Sequence, residues 1–174
     1  TKLFANNVRY NKLGSIAPFI TNAILNLGIV KRAIGIAPHR SIPKLSNTTF
    51  LTWFKRNKDS FQKIKNLKGE VYLFADEFTN FYDADLGKDA LYLLNSLGYE
   101  VNIVKNEESA RSLISKGFLV KAKEKADYNV NLFKDLITKE KVLVGIEPSA
   151  ILTFRDEYLR LADDKESAEK IAKY

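Results

Sequence analysis

The run Val71-Tyr72-Leu73-Phe74-Ala75-Asp76-Glu77 decides the fold. Four apolar residues in succession, with no polar residue alternating among them, suit a strand buried on both faces. The acids at 76 and 77 end the apolar run, so a loop begins at residues 75–77. A strand of this kind needs a covering layer on each side. The sequence that follows supplies it.

Residues 84–97 place Leu86, Ala90, Leu93, Leu94 and Leu97 at helical spacing and stop at Gly98, which predicts a helix with those residues buried. Val101-Asn102-Ile103-Val104 predicts a second strand. Helical segments follow at 107–116 and 118–136, separated by Gly117, and a third strand covers 142–146. Helices over 149–161 and 164–174 close the chain. Strands separated by helices imply a parallel sheet with right-handed crossovers and helices on both faces. The expected fold is α/β, a three-layer Rossmann-like parallel sheet of about three strands, preceded by a helical amino-terminal arm.

Ahead of the strand the composition changes. Residues 1–69 hold 13 Lys/Arg against a single acid, Asp59, whereas residues 70–174 hold 15 Lys/Arg against 20 Asp/Glu. This break predicts a basic arm or connector over 1–68 and a mildly acidic α/β domain over 69–174. Within the arm, Ser15 can cap a helix over 16–27 with Pro18 in its first turn and Gly28 as terminator. Another turn or two is expected over 29–36, and an extended connector over 40–47. Asn47 or Thr48 can cap a helix to about residue 58 that puts Phe50, Trp53 and Phe54 on one face, which must dock on something.

Composition excludes several classes. The chain of 174 residues has no cysteine, so it forms no disulfide and holds no thiolate-bound cluster. The longest apolar stretch, residues 16–30, is too short for a membrane span and contains Pro18, Asn22 and Asn26. No secretory or lipidation signal opens the chain, so a cytoplasmic place, or one at the inner face of a membrane, is expected. The absence of methionine, even at position 1, is read as a sign of a trimmed piece of something longer. One histidine, His39, and no cysteine leave no hydrolase triad, and the glycines at 87, 98 and 117 are too far apart for a phosphate loop. No residue is assigned a catalytic role and no metal site is assigned. The arm's aromatics sit at core spacing, which argues against a nucleic-acid surface.

In a parallel sheet the chemistry gathers at the carboxyl ends of the strands. Three loops qualify, at 75–80, 105–111 and 147–149, and they carry the candidate ligand-binding residues Asp76, Glu77, Glu108, Ser109, Arg111, Glu147 and Ser149. Asp76, Glu77, Glu108 and Glu147 could converge on a hard cation such as magnesium, or simply be solvated loop acids. Arg111, beside a helix start at Ser149, could bind a carboxylate or phosphate, or pair with Glu147. Ser149 could cap that helix, and Asp156 or Glu157 could pair with Arg155 or Arg160.

The runs LFADEFTNFYDADLGKDA (73–90), SARSLISKG (109–117) and GIEPSAILTFRDEY (145–158) resemble the cysteine-rich domain of flavin-linked 2-hydroxyacid oxidoreductases of the D-lactate dehydrogenase and glycolate oxidase iron–sulphur group. A similar domain occurs in heterodisulfide reductase and anaerobic glycerol-3-phosphate dehydrogenase subunits. Its pattern has a cysteine in the loop after the first strand, Cys-Cys-Gly-Arg-Pro after the second and Glu-Pro-Ser-Cys after the third. This chain has Glu77, Glu108, Ser109 and Ala150 where that pattern has ligand cysteines.

The resemblance implies a degenerate cluster domain with a structural or docking role inside a flavin-linked oxidase of a D-lactate or glycolate type substrate. It implies FAD, and room for iron–sulphur clusters, elsewhere in the parent protein, with no cofactor in this chain. The partner implied is the flavin domain or a subunit of the same enzyme, with a peripheral membrane contact left open. The alternative is a free-standing α/β module for a small anionic ligand.

Overall fold

The computed structural model describes residues 6–61, 64 and 67–174. Of the expected arm, residues 1–5, 62, 63, 65 and 66 lie outside the described residues. Three parallel strands, β1 (Gly69–Phe74), β2 (Tyr99–Asn102) and β3 (Lys141–Gly145), form one sheet in the order β2-β1-β3. The expected α/β fold is the one observed, with β1 in the middle. That position explains its unbroken apolar run, because it has a neighbour on each edge and a helical layer on each face.

Alternation along β1 sorts its side chains between the two layers. Val71 and Leu73 face one side with Val101 of β2, against α4 (Phe50–Asn57) and α6 (Ala84–Ser96), which contribute Phe50, Ala84 and Leu91. Phe74 faces the other side, where α8 (Leu119–Phe133) brings Ala126, Val130 and Phe133. There Phe74, Phe133 and Phe154 meet edge to face at centroid distances of 5.1–6.2 Å, and Phe154 lies 4.6 Å from Tyr158.

The aromatic face of α4 therefore docks on the sheet of its own chain. Thr49 caps this helix by accepting from Thr52 N, and the expected caps Asn47 and Thr48 do not. Trp53 stacks on Phe50 at 6.3 Å and touches Phe61 and Tyr92. The rest of the arm consists of α1 (Asn7–Gly14), α2 (Pro18–Asn26) and α3 (Gly28–Ala33). Val8 and Leu45 pack on Phe81 of α5 (Glu77–Phe81), and Tyr82 Oη donates to Asn11 Oδ1 at 2.8 Å.

Several local expectations change. Ser15 ends α1 instead of capping the next helix, α2 begins at Pro18 after Ala17, and Gly28 opens α3 where a terminator was expected. The face of α6 is turned: Leu86, Leu93 and Leu97 are exposed, while Ala84, Gly87 and Leu91 are buried. The cause is close approach. A Cβ on Gly87 would lie 2.8 Å from the Phe50 ring, so the helix seats Phe50 by its smallest residues.

The helix expected over 149–161 is broken into α9 (Pro148–Ile151), a 3₁₀ turn (Leu152–Phe154) and α10 (Tyr158–Leu161). Thr153 Oγ1 donates to Ala150 O at 2.6 Å, a side-chain bond of the kind that competes with continued helix. The segment expected as a helix over 107–116 is helical only in α7 (Arg111–Ser115). Gly98 and Gly117 do terminate helices, with φ of +94° and +76°. The last helix, α11 (Lys165–Ala172), is capped by Asp164, which accepts from Ser167 N at 3.0 Å. Among the described residues no helix is long and apolar enough to cross a membrane.

Candidate functional site

Two of the three carboxyl-end loops are joined by one buried carboxylate. Asp76 ends β1 by capping α5, its carboxylate accepting from Phe78 N (2.8 Å), Thr79 N (3.0 Å) and Thr79 Oγ1 (2.6 Å). That cap fixes Glu77 in the first turn, where it points across to the loop after β2. Its two oxygens accept from Ser109 N and Ser109 Oγ, each at 2.8 Å. Glu77 and Ser109 are both buried, and so is Asp76. The expectation of solvated loop acids is thus wrong for 76 and 77.

A second ring of polar groups holds the Ser109 loop from behind. Asn129, on the buried stripe of α8, accepts from Glu107 N at 3.0 Å and donates to Glu108 O at 3.1 Å. It also donates to Tyr158 Oη at 3.0 Å, and that hydroxyl donates to Ser109 O at 3.1 Å. Asn106 ties Ala75 O to Glu107 O through its amide nitrogen, at 3.1 and 2.8 Å. Ala110, between Ser109 and Arg111, has φ of +63°. A left-handed turn at this point is a backbone conformation that favours glycine.

Burial dominates the electrostatics. It raises the carboxyls of Asp76 and Glu77 above the ordinary carboxylate range, with the hydrogen bonds from Thr79 and Ser109 opposing it. It raises the Tyr158 hydroxyl as well. Glu108 is pushed up to about 7 from an ordinary 4.5, first by burial and then by the charge of Glu77, while Lys125 and Lys12 pull the other way. Its Oε2 is buried and has no hydrogen-bond partner among the described residues.

Because the folded value lies above the unfolded one, protonation of Glu108 adds stability that is fully present below about pH 4.5 and lost as pH rises through about 7. Glu108→Gln is therefore expected to raise stability by about 1–2 kcal/mol near pH 8, after allowance for solvent screening, and to change it little near pH 4. Urea denaturation of both proteins across that range checks this.

The remaining candidates stand apart from the clasp. The Arg111 guanidinium pairs with Glu157, and the expected pairing with Glu147 is not made. Its backbone N–H does reach Ser109 Oγ, at 3.2 Å. Glu147, not Ser149, caps α9, accepting from Ser149 N (3.2 Å) and Ser149 Oγ (2.7 Å). Its charge contributes to raising Asp76. Among the described residues, no group of three His, Cys, Asp or Glu side chains gathers that could hold a metal ion.

None of the four motif positions of the resembled cluster carries a thiolate, and Glu108 offers only a half-buried carboxyl. Glu77 and Ser109 spend their polar atoms on each other, Ala150 is a buried methyl group without a donor, and no thiolate exists in the chain. Iron–sulphur clusters are held chiefly by thiolates, so the residues present do not fit one.

Sequence reasoning missed Asn129, Asn106 and Tyr158. The signal for Asn129 was present: a single amide interrupts the apolar stripe Ala122, Ala126, Val130 and Phe133 at core spacing, and a buried amide needs partners.

The chain is similar to one of the subunits of the anaerobic glycerol-3-phosphate dehydrogenase of Escherichia coli (strain K12), with 31% identity over 156 residues, covering 84% of this chain and 38% of that protein. It is 25% identical over 175 residues to the D-2-hydroxyglutarate dehydrogenase of the same organism, covering 94% of this chain and 17% of that protein. The D-2-hydroxyglutarate dehydrogenase of Pantoea ananatis (strain AJ13355) is 30% identical over 89 residues, 51% of this chain and 9% of that protein. The chain thus spans less than two fifths of the length of these dehydrogenases and is related to a segment of each. No family model matches it, and no solved structure matches it.

Proposed function

We propose that this chain is a segment of a flavin-linked oxidoreductase acting on a 2-hydroxy acid, in which a former cluster domain has become a metal-free structural and docking unit. The observation that carries this reading is the Glu77–Ser109 clasp. At two positions where the resembled motif places ligand cysteines, a buried carboxylate and a seryl group are bonded directly to each other. A cluster at such a place would join the strand-end loops through metal–sulphur bonds; here hydrogen bonds join two of them. The relatives named above, all of them dehydrogenases, support the oxidoreductase part of the reading.

On this reading the chain's own residues hold the loops in place, and the redox chemistry belongs to a flavin bound elsewhere in the parent protein. FAD, when bound there, would accept the electrons of the hydroxy acid. Expressing the protein from its full reading frame tests the proposal. The expected result is stoichiometric FAD in the longer protein, with dye-linked oxidation of D-lactate, glycolate or D-2-hydroxyglutarate. The 174-residue chain alone is expected to carry neither flavin nor activity. A reading frame that encodes no flavin-binding domain, or a purified full-length protein without flavin, overturns it.

A further inference from the structure

Behind α3 the chain leaves a cleft of about 900 Å³ between residues 34–43, α1, α5 and the start of α6. Gly35 turns the chain out of α3 with φ of +78°. Leu45 and Ser46 tie it back, Leu45 N donating to Asn22 Oδ1 and Ser46 N to Phe81 O, each at 2.8 Å. The segment between those two points forms one wall of the cleft. Neither Glu77 nor Ser109 lines it, so it is separate from the clasp.

Most of the wall is apolar. Ile34, Ile36 and Ile42 of the segment stand with Phe78 and Tyr82 from the other side, all of them half-buried, and Tyr10 adds a third ring. A cleft of this size, apolar with a few polar groups, has the build of a small-molecule site.

Three polar groups in it are not spent on the protein. Asn11 is 7% exposed, its Oδ1 accepts from Tyr82 Oη at 2.8 Å, and its Nδ2 is buried with no hydrogen-bond partner among the described residues. A buried amide donor calls for an acceptor. Arg40 and Asp83, both exposed, also line the cleft, and neither makes an ion pair among the described residues. Asp83 precedes α6 without a side-chain capping bond, so its carboxylate has no structural task there.

These groups select the ligand. A simple anion would meet the charge of Asp83, and a simple cation that of Arg40. A neutral apolar molecule would leave the Asn11 donor unanswered. A zwitterion satisfies all three, with its carboxylate on Arg40 and Asn11 Nδ2 and its ammonium on Asp83. The rings of Tyr10, Phe78 and Tyr82 suit a large apolar or aromatic side chain between them.

We propose that the cleft between α1, α5 and residues 34–43 is a binding site for a free α-amino acid with a large apolar side chain. The proposal does not depend on the parent being flavin-linked, and its test involves no flavin.

Titration of the isotope-labelled chain with L-phenylalanine, followed by heteronuclear NMR, tests it. Saturable shifts of the Asn11, Gly35 and Ser41 amides are expected, with a dissociation constant on the order of 0.1–1 mM for a ligand of this size. Phenylacetate and phenethylamine, each lacking one charge, are expected to bind at least about fivefold more weakly. Arg40→Gln and Asp83→Asn should each weaken phenylalanine by a similar factor. Ser41→Trp, which puts a ring into the cleft from an exposed position, should abolish binding. All three side chains are exposed, so the unfolding midpoint should stay that of the wild type.

Three results would overturn the proposal. One is the absence of saturable shifts with phenylalanine. Another is binding that Ser41→Trp leaves unchanged, which would place the ligand elsewhere. The third is phenylacetate or phenethylamine binding as tightly as phenylalanine, which would leave Asp83 or Arg40 without a role.

Discussion

Glu77→Ala is expected to lower the free energy of unfolding by about 3 kcal/mol, and the unfolding midpoint by about 6–12 °C. The substitution removes the acceptor of two donors, Ser109 N–H and Ser109 Oγ–H, in a place that water does not reach. A buried donor left without a partner bears its full desolvation penalty with nothing to offset it. The effect should extend beyond the pair. Ser109 O is the acceptor of Tyr158 Oη, and Asn129 holds the same hydroxyl, so loosening the loop weakens the contact between α8 and α10. Thermal unfolding followed by far-ultraviolet circular dichroism measures the loss. Glu77→Gln keeps one acceptor and should fall between the alanine variant and the wild type.

Phe50→Ala is expected to cost about 3–5 kcal/mol, the range for removing a large buried aromatic residue that leaves a cavity. Phe50 is fully buried between α4 and the sheet, stacked near Trp53 and lying over Gly87. The cavity should collapse poorly, because Ala84 and Leu91, a turn to either side of Gly87 on the same face, hold α6 in the same cluster. Urea denaturation gives the number. A midpoint within error of wild type would mean that α4 is not part of the folded core.

The sheet is readable because its signal is a concentration of apolar residues. Val71, Leu73 and Phe74 announce a central strand, and Val101 and Val142 its neighbours. The strand β2 starts earlier than its apolar run suggests, for a reason the sequence hides. Ile103 and Val104 are apolar but lie beyond the pairing, which runs from Gly69 opposite Tyr99 to Tyr72 opposite Asn102. Register belongs to two strands at once, and a single run of residues does not carry it.

The face of α6 is hidden by the opposite effect. Its contact surface is made of Ala84, Gly87 and Leu91, and small residues carry little hydrophobic signal however close their packing. The candidate site is legible in its loops and not in its bonds. The topology rule locates 75–80 and 105–111, but nothing in the spacing of Glu77 and Ser109 says that they meet across 32 residues. Nor does the sequence say that Arg111 turns to Glu157 and leaves Glu147 to cap α9. Those choices depend on where the broken helices after β3 bring their side chains.

The clasp itself is most directly tested by a double-mutant cycle on Glu77→Ala and Ser109→Ala, read by urea denaturation of the four proteins. If the carboxylate and the seryl hydroxyl hold the two loops together, the double variant should lose about 1–2 kcal/mol less than the sum of the singles. Additivity within about 0.5 kcal/mol would contradict the clasp, and with it the observation on which the proposed function stands.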